Sequence, residues 1–208
     1  GAGPYVTTCP VGCTAPITDT DIVVAEGALR RCNGCGQLLS RASTARYNET
    51  MAQFNAADFN TPQGRELERR QAVARQRLSR IAVLLGKVAT DIRVLDVGCS
   101  RGQFVAAAIA AGYRAEGVEP APRIAEAARA AGVPVRTGLL EEQHFPDGSF
   151  DALTLFEVIE HLREPLPLLA ECRRVLKPGG ILLVSTANAA SWTAAAMGSG
   201  WDYFDMQK

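Results

Sequence analysis

The run Val-Leu-Asp-Val-Gly-Cys-Ser-Arg-Gly over residues 94–102 constrains the fold more than any other part of the sequence. Apolar residues followed by an acid and a glycine turn predict a buried strand that breaks directly into a helix. In open α/β sheets, ligands bind at the carboxyl ends of strands, so we expect a nucleotide-like cofactor at this turn. Asp96 ends the strand. Its charge suits a cationic cofactor better than a pyrophosphate, which needs a helix N-terminus free of negative charge.

The segments after this turn alternate between strand and helix patterns. Strands are predicted over residues 92–97, 114–118, 133–137, 152–156 and 181–186, and helices over residues 103–111, 121–131 and 165–176. Such alternation predicts a doubly wound, mostly parallel α/β sheet. An amphipathic helix over residues 64–85 precedes it and is expected to pack onto it. Glu119 ends the second strand, 23 residues after Asp96, a spacing typical of a carboxylate that binds ribose hydroxyls.

Together these segments resemble class I S-adenosylmethionine-dependent methyltransferases of the small-molecule type. The resemblance covers about residues 92–188, through the turn at 94–102 and the family-like segments at 118–120, 145–151, 156–162 and 176–180. It implies a Rossmann-like fold with S-adenosylmethionine as cofactor and S-adenosylhomocysteine as product. The cofactor contacts that it implies are Asp96, Gly98, Cys99, Ser100, Gly102, Glu119, Pro120, Leu139, Leu140 and Phe156.

The sequence departs from the family pattern in three places. Ser100 occupies the position of the middle glycine of the turn, and we expect the turn to tolerate it. Leu139 stands where many relatives have an aspartate that binds adenine, so adenine recognition would rest on backbone and apolar contacts from Leu139 and Leu140. The family sheet has seven strands, but only 22 residues follow Thr186, so we expect the C-terminal part of the domain to be incomplete.

Methyl transfer needs a general base only when the acceptor is a hydroxyl or a carbon acid. His161 is the first candidate, because it follows the fourth strand on the cofactor side and imidazole titrates near neutral pH. Glu157 is the second candidate and Glu160 a weaker one. The alternative is that His161 merely forms a hydrogen bond within a loop.

Four of the six cysteines lie before residue 36. Cys9 and Cys13 have three residues between them, and Cys32 and Cys35 have two, which is the ligand spacing of structural zinc sites. The segment between the pairs predicts a hairpin with its turn at Glu26 and Gly27. We therefore expect a structural zinc-bound hairpin, because so small a unit needs a metal to be stable. Free thiols or disulfides are the alternative.

These patterns predict three regions. Residues 1–40 form a zinc-ribbon-like unit, residues 41–63 a connecting segment of low regularity, and residues 64–208 the methyltransferase domain, with a helical lead-in over 64–86 and a core over 92–188. No secretory signal or apolar stretch of about 20 residues is present, which predicts a cytoplasmic location and no membrane contact. The sequence does not indicate an oligomeric state.

The leading functional hypothesis is methyl transfer to an oxygen or carbon of a small molecule or a carrier-linked sugar. Certain rRNA base methyltransferases also place a zinc ribbon before this fold, and six arginines of the 64–85 helix would supply a phosphate-binding strip: Arg65, Arg69, Arg70, Arg75, Arg77 and Arg80. The formal net charge of zero argues against nucleic acid as a partner. The third hypothesis is a binding module that keeps the fold without turnover.

Overall fold

The computed structural model describes residues 6–56 and 64–204. Within those ranges the chain divides into two compact units. The first unit takes its described residues from three stretches, Gly1–Phe54, Glu160–Leu166 and Thr186–Lys208, and the second takes its own from Asn55–Ile159 and Pro167–Ser185.

The first unit opens with a small antiparallel sheet. Its strands, in the order β1-β2-β3, are β1 (Ile17–Val24), β2 (Gly27–Cys32) and β3 (Leu38–Leu39). The predicted hairpin is present, but its turn lies at Ala25 and Glu26, because Val24 pairs with Gly27. Strand β3 was not predicted, since two residues are too few to leave an alternating pattern.

A helix replaces most of the predicted irregular connection over residues 41–63. Helix α1 (Thr44–Ala56) forms there, whereas residues 57–63, including Phe59, lie outside the described part of the chain. Its start is a capping interaction, in which the Ser43 hydroxyl accepts a hydrogen bond from the Arg46 amide at 3.1 Å. Arg46 also pairs with Glu49 one turn later. The prediction of low regularity was wrong, because Tyr47, Met51 and Phe54 recur at the spacing of a helix and that periodicity was overlooked among the polar residues.

The second unit holds a five-stranded parallel sheet in the order β6-β5-β4-β7-β8. Its strands are β4 (Arg93–Val97), β5 (Arg114–Glu119), β6 (Val135–Thr137), β7 (Phe150–Phe156) and β8 (Leu176–Ser185). The chain moves outward from β4 through β5 to β6, then returns to the other side of β4 for β7 and β8. Because parallel crossovers are right-handed, this reversal places helices on both faces of the sheet, as the doubly wound prediction requires.

The helices of the second unit are α2 (Gly64–Leu85), α3 (Gln103–Ala110), α4 (Pro122–Ala130) and α5 (Pro165–Val175), although the first two residues of α5 belong to the first unit. Helix α2 packs against the unit as predicted. It buries Ala74, Leu78 and Ile81 in a cluster that includes Val94 of β4 and Phe104 of α3. The predicted helix and strand boundaries all agree with the structure to within a few residues, apart from the early start of β8 at Leu176.

Asp151 of β7 is a buried ionic anchor at the amino end of the sheet. Its side chain is 1% exposed and accepts hydrogen bonds from the Lys87 and Lys177 amines, at 2.6 and 2.9 Å, and from the Arg93 amide at 2.9 Å. Burial raises the pKa of Asp151, but these three donors outweigh burial and hold the pKa at about 2. The ionised carboxylate therefore ties together the loop after α2 and the starts of β4 and β8.

The first unit also includes the chain that follows β8. Helix α6 (Trp192–Met197) begins at Ser191, whose hydroxyl accepts the Ala194 amide, and two short 3₁₀ turns follow at Gly198–Gly200 and Asp202–Phe204. Among the described residues, no helix combines the length and apolarity that crossing a bilayer requires.

Candidate functional site

The turn after β4 needs glycine at two positions. Gly98 and Gly102 both have positive φ, of +72° and +71°. A Cβ atom at Gly98 would lie 2.6 Å from the Val158 side chain, and one at Gly102 would lie 2.6 Å from the Val133 side chain. The amides of Gly98 and Cys99 both donate to the Val118 carbonyl, at 2.8 and 3.1 Å, which fixes the turn against β5. Conformation and packing thus both require the glycines that the sequence shows here.

Ser100 has a backbone conformation that favours glycine. Its φ is +50°, a left-handed conformation that ordinary residues adopt at some energetic cost. Its amide donates to Glu119 Oε2 at 2.9 Å. This hydrogen bond holds the turn next to the end of β5, and the tolerance of Ser100 stays a prediction.

Asp96 is a buried carboxyl group at the carboxyl end of the central strand. The residue is 4% exposed, and its Oδ1 accepts a hydrogen bond from the Thr154 hydroxyl of neighbouring β7 at 2.6 Å. Burial raises the pKa of Asp96 to about 7, and the negative charge of Glu119 adds to this, whereas Thr154 and the Arg77 charge oppose it. The site therefore holds an acid near its titration midpoint at neutral pH, which a cation would ionise fully.

Glu119 ends the adjacent strand β5 and is also buried, at 7% exposure. Its two carboxylate oxygens each accept one backbone amide at 2.9 Å, from Ser100 and from Ala121. Burial raises the pKa of Glu119, and the two amides partly offset that rise. Each oxygen keeps further lone pairs, so a carboxylate already fixed in position can accept two neighbouring hydroxyls.

Arg77 of α2 also reaches the carboxyl ends of the strands. Its position there was not predicted from the sequence. Its guanidinium carbon lies 3.9 Å from the centroid of the Phe156 ring, and its Nη2 donates to the Ser185 hydroxyl at 3.3 Å. No carboxylate among the described residues lies within ion-pair distance of Arg77. Helical spacing places Arg77 next to the stripe of Ala74, Leu78 and Ile81, but Arg70 has equivalent spacing, so this signal does not separate the two arginines.

The six arginines of α2 therefore do not form one strip. Arg70 pairs with Glu66 on its own helix at 2.7 Å, and Arg77 is held over Phe156. Arg65, Arg69, Arg75 and Arg80 are exposed to solvent. This arrangement fits a solvated helix face with one inward-turned arginine better than a phosphate-binding surface.

The remaining predicted cofactor contacts lie in different environments. Leu139 is 52% exposed, and its amide donates to Glu142 Oε2 at 2.8 Å, whereas Leu140 is fully buried. Pro120 is exposed. Cys99 is buried, and burial raises the pKa of its thiol well above the usual range, which disfavours the reactive thiolate. The roles predicted for these residues stay predictions.

The two candidate bases belong to different units. Glu157, in the second unit, is exposed with a φ of +55°; its amide donates to the Ser185 carbonyl at 2.8 Å and its Oε1 accepts the Ser185 hydroxyl at 3.3 Å. His161, in the first unit, is exposed in the 3₁₀ turn Ile159–His161, and its carbonyl accepts the Tyr47 hydroxyl at 3.0 Å. Their catalytic roles stay predictions.

The four early cysteines converge in the first unit, as predicted. The thiol sulfurs of Cys9, Cys13, Cys32 and Cys35 all lie within 4.8 Å of one another, and Cys9 Sγ lies 3.5 Å from Cys35 Sγ. The Val11 amide is the main reason that the pKa of Cys9 falls to about 7, whereas the hydrogen bond to Cys35 raises the pKa of Cys13 to about 12. Four convergent sulfurs are the donor set of a closed tetrahedral zinc site.

Residues 95–184 match the family described as a methyltransferase domain. Two curated relatives are both named ubiquinone biosynthesis O-methyltransferase. The protein from Xanthomonas campestris pv. campestris (strain B100) is 35% identical over 116 residues, which is 51% of this chain and 48% of that protein. The protein from Cereibacter sphaeroides is 33% identical over 118 residues, which is 53% of this chain and 48% of that protein. The chain thus spans about half the length of the curated relatives it matches.

A solved structure gives the same picture of the fold. A SAM-dependent methyltransferase from Archaeoglobus fulgidus is 23% identical and superposes with a TM-score of 0.50, over 61% of this chain and 57% of that one. At this identity the likeness supports the architecture alone, and it agrees with the five-stranded parallel sheet and its flanking helices.

Proposed function

We propose that this chain, whose residues 95–184 match a methyltransferase-domain family, is a class I S-adenosylmethionine-dependent methyltransferase that transfers the cofactor's methyl group to an oxygen or carbon of a small molecule or a carrier-linked sugar. The observation that carries the proposal is the pair of buried carboxyl groups, Asp96 and Glu119, at the ends of adjacent parallel strands. The names of the curated relatives support a small-molecule acceptor, and the neutral net charge and divided arginines of α2 favour it over RNA.

The residues fit both ends of the cofactor. Asp96 and Arg77 offer opposite charges, which suit the amino and carboxylate groups of the methionine part. Glu119 suits the two ribose hydroxyls, because the Ser100 and Ala121 amides hold its oxygens in place. Leu139, exposed on the loop after β6, suits one face of the adenine ring.

The protein's contribution to the reaction is positioning. When bound, the cofactor supplies a methyl group that its sulfonium already activates, so the chain needs only to align an acceptor with it and exclude water. The guanidinium of Arg77 stacks on the Phe156 ring, and this contact holds both side chains in place on the side of the site formed by β7 and β8. We propose Glu157 and His161 as proton acceptors for a hydroxyl or carbon-acid acceptor, and the Ser185 hydroxyl as the group that orients Glu157.

Calorimetric titration of the purified chain tests the cofactor assignment, with S-adenosylmethionine, S-adenosylhomocysteine and 5′-methylthioadenosine as ligands and NAD as a control. Micromolar binding of the first two without NAD binding is the expected outcome. Glu119→Gln should weaken binding of all three adenosine ligands. The matched control is Glu116→Gln on the same strand, where Glu116 pairs with Arg93 and Arg136 at the surface. Equal effects of the two variants would contradict the assignment of Glu119.

A non-catalytic binding module would pass the titration, so turnover needs its own measurement. Transfer of a radiolabelled methyl group to phenolic, sugar and carrier-linked acceptors would establish activity. Binding of the cofactor without transfer to any of these would favour the binding module, and transfer to RNA with a steep salt dependence would favour the rRNA hypothesis.

We also propose that the four cysteines of the first unit bind a structural Zn²⁺ ion. The sulfur positions support this, because four thiolates complete the coordination of zinc and leave no place for a substrate. One zinc per chain by atomic emission, reduced in Cys32→Ser and retained in Cys172→Ala, is the expected result. The zinc-ribbon boundary at residue 40, the domain start at residue 64 and the cytoplasmic location stay predictions.

A further inference from the structure

The described residues after β8 complete the apolar core of the first unit. Ala194, Trp201 and Phe204 form one buried cluster with Leu29 of β2, and Trp201 is only 9% exposed. The rings of Trp201 and Phe204 meet edge to face, with centroids 4.8 Å apart. Ile22 and Val24 of β1 and Leu38 of β3 pack against this cluster, so the segment covers all three strands of the small sheet.

The cysteine cluster is built on the same three strands. Cys32 is the last residue of β2, three residues after Leu29, and it pairs with Ile17 at the start of β1. The Gly36 amide donates to the Cys32 carbonyl at 2.8 Å, and the Cys32 amide donates to the Gln37 carbonyl at 3.0 Å. This tight knuckle leads directly into Leu38 of β3. The sulfur cluster therefore fixes the strand ends whose neighbouring residues hold the aromatic segment.

The sheet has little stability of its own. Strand β3 is two residues long, and a three-stranded sheet of this size is marginal unless something covers or cross-links it. A metal bound by Cys9, Cys13, Cys32 and Cys35 would cross-link residues that are up to 26 positions apart. Without it, the knuckle and β3 are held by backbone hydrogen bonds, by the contact of the Thr18 hydroxyl with Asn33 and by the packing of Leu38.

We propose that the metal bound by the four cysteines controls the docking of residues 187–204, so that loss of the metal releases Trp201 and Phe204 from the sheet. The proposal rests on the proposed zinc site. According to this proposal, the folding of the segment that follows β8 depends on the metal site. More than 150 residues of sequence separate Cys35 from Trp201.

Tryptophan fluorescence of the full chain tests this proposal. The chain has two tryptophans, and Trp192 is 82% exposed, so Trp192→Phe leaves the buried Trp201 as the reporter. The zinc is removed by a chelator in the presence of a phosphine reductant, which prevents disulfide formation, and metal content is measured on the same samples. We expect the emission to shift to longer wavelength, acrylamide quenching to rise severalfold, and both changes to reverse when Zn²⁺ is added back.

Two variants separate the metal from the aromatic contact. Leu29→Ala should keep the zinc but expose Trp201, because it removes the cluster's contact on β2 and leaves all four thiols. Cys172→Ala, which removes a thiol of α5, should change neither reading. Zinc loss with Trp201 still protected would overturn the docking proposal and leave the metal site standing. A chain that never binds zinc, yet protects Trp201, would overturn both.

Discussion

Replacing Asp96 by asparagine should stabilise the fold and weaken cofactor binding at the same time. The pKa of Asp96 rises from its ordinary value of 3.8 to about 7 in the folded protein, because burial disfavours the charged form. A carboxyl group whose pKa is raised by folding makes the folded state bind protons more tightly than the unfolded state does. Its unfavourable contribution therefore grows as the pH rises above 3.8 and reaches its full size above about 7.

The size of this contribution follows from the shift in pKa. A shift of about three units corresponds to an upper limit of about 4 kcal/mol at pH 8, and to less than half of that at pH 5. Asparagine is uncharged and can still accept the Thr154 hydroxyl bond at Oδ1. Its extra buried amide hydrogens cost about 1 kcal/mol, but that cost does not depend on pH. We therefore expect the stability of Asp96→Asn relative to the parent protein to increase by roughly 2–3 kcal/mol between pH 5 and pH 8.

Urea unfolding of the two proteins at pH 5, 6, 7 and 8 measures this difference. A gap in unfolding free energy that does not change with pH would refute the reasoning, since it would mean that Asp96 ionises as easily in the folded protein as in the unfolded chain. In calorimetry the variant should bind S-adenosylhomocysteine roughly 10- to 100-fold more weakly, the loss of one charge-assisted contact. Binding of 5′-methylthioadenosine, which lacks the amino-acid end, should not change.

Three further predictions concern single residues. Asp151→Asn should lower the unfolding free energy by about 2 kcal/mol at pH 7. This difference should vanish as the pH falls from 4 to 2, because the three donors lower the pKa of Asp151 to about 2. Urea unfolding at a series of pH values measures the difference, and a loss of stability that persists at pH 2 would contradict the prediction. Arg77→Ala should weaken the binding of S-adenosylhomocysteine about tenfold, the loss of a single charge-assisted contact, and should leave the binding of 5′-methylthioadenosine unchanged. Equal losses of affinity for both ligands in calorimetry would show that Arg77 does not bind the ligand's carboxylate. Ser100→Gly should leave thermal stability unchanged or raise it. Ser100→Val should lower the unfolding free energy by about 1 kcal/mol or more, because β-branched residues disfavour positive φ. Equal stability of the two variants would contradict the argument that Ser100 is strained.

The sequence predicted the second unit well because each of its elements leaves a local pattern. The buried strand, the acid and the glycines of residues 94–102 are adjacent in sequence, and the positive φ at Gly98 and Gly102 is a property of the turn itself. The positions of Asp96 and Glu119 near the ends of β4 and β5 were predicted for the same reason, and their role in the site stays a prediction. The parallel direction of the strands follows from the alternation of strand and helix, whereas their order and register come from the structure.

Features that depend on distant residues were not predictable in this way. Arg77 is one arginine of six on its helix, and only the tertiary packing of α2 places it over Phe156. Helix α1 begins at a cap in which the Ser43 hydroxyl accepts the Arg46 amide, and this contact was not predicted. The cluster of Leu29 with Trp201 joins opposite ends of the sequence, and no periodic pattern connects them.

That cluster also sets the order in which the chain can fold during synthesis. The second unit is complete once Ser185 has left the ribosome, but Leu29 cannot meet Trp201 until the segment after β8 has emerged as well. At the usual rates of translation, roughly 10–30 s pass between the synthesis of β3 and that of Phe204, and the apolar face of the small sheet is uncovered during this time. The small sheet is therefore synthesised before the second unit but can complete its packing only after it, and its apolar face stays exposed to solvent during that delay.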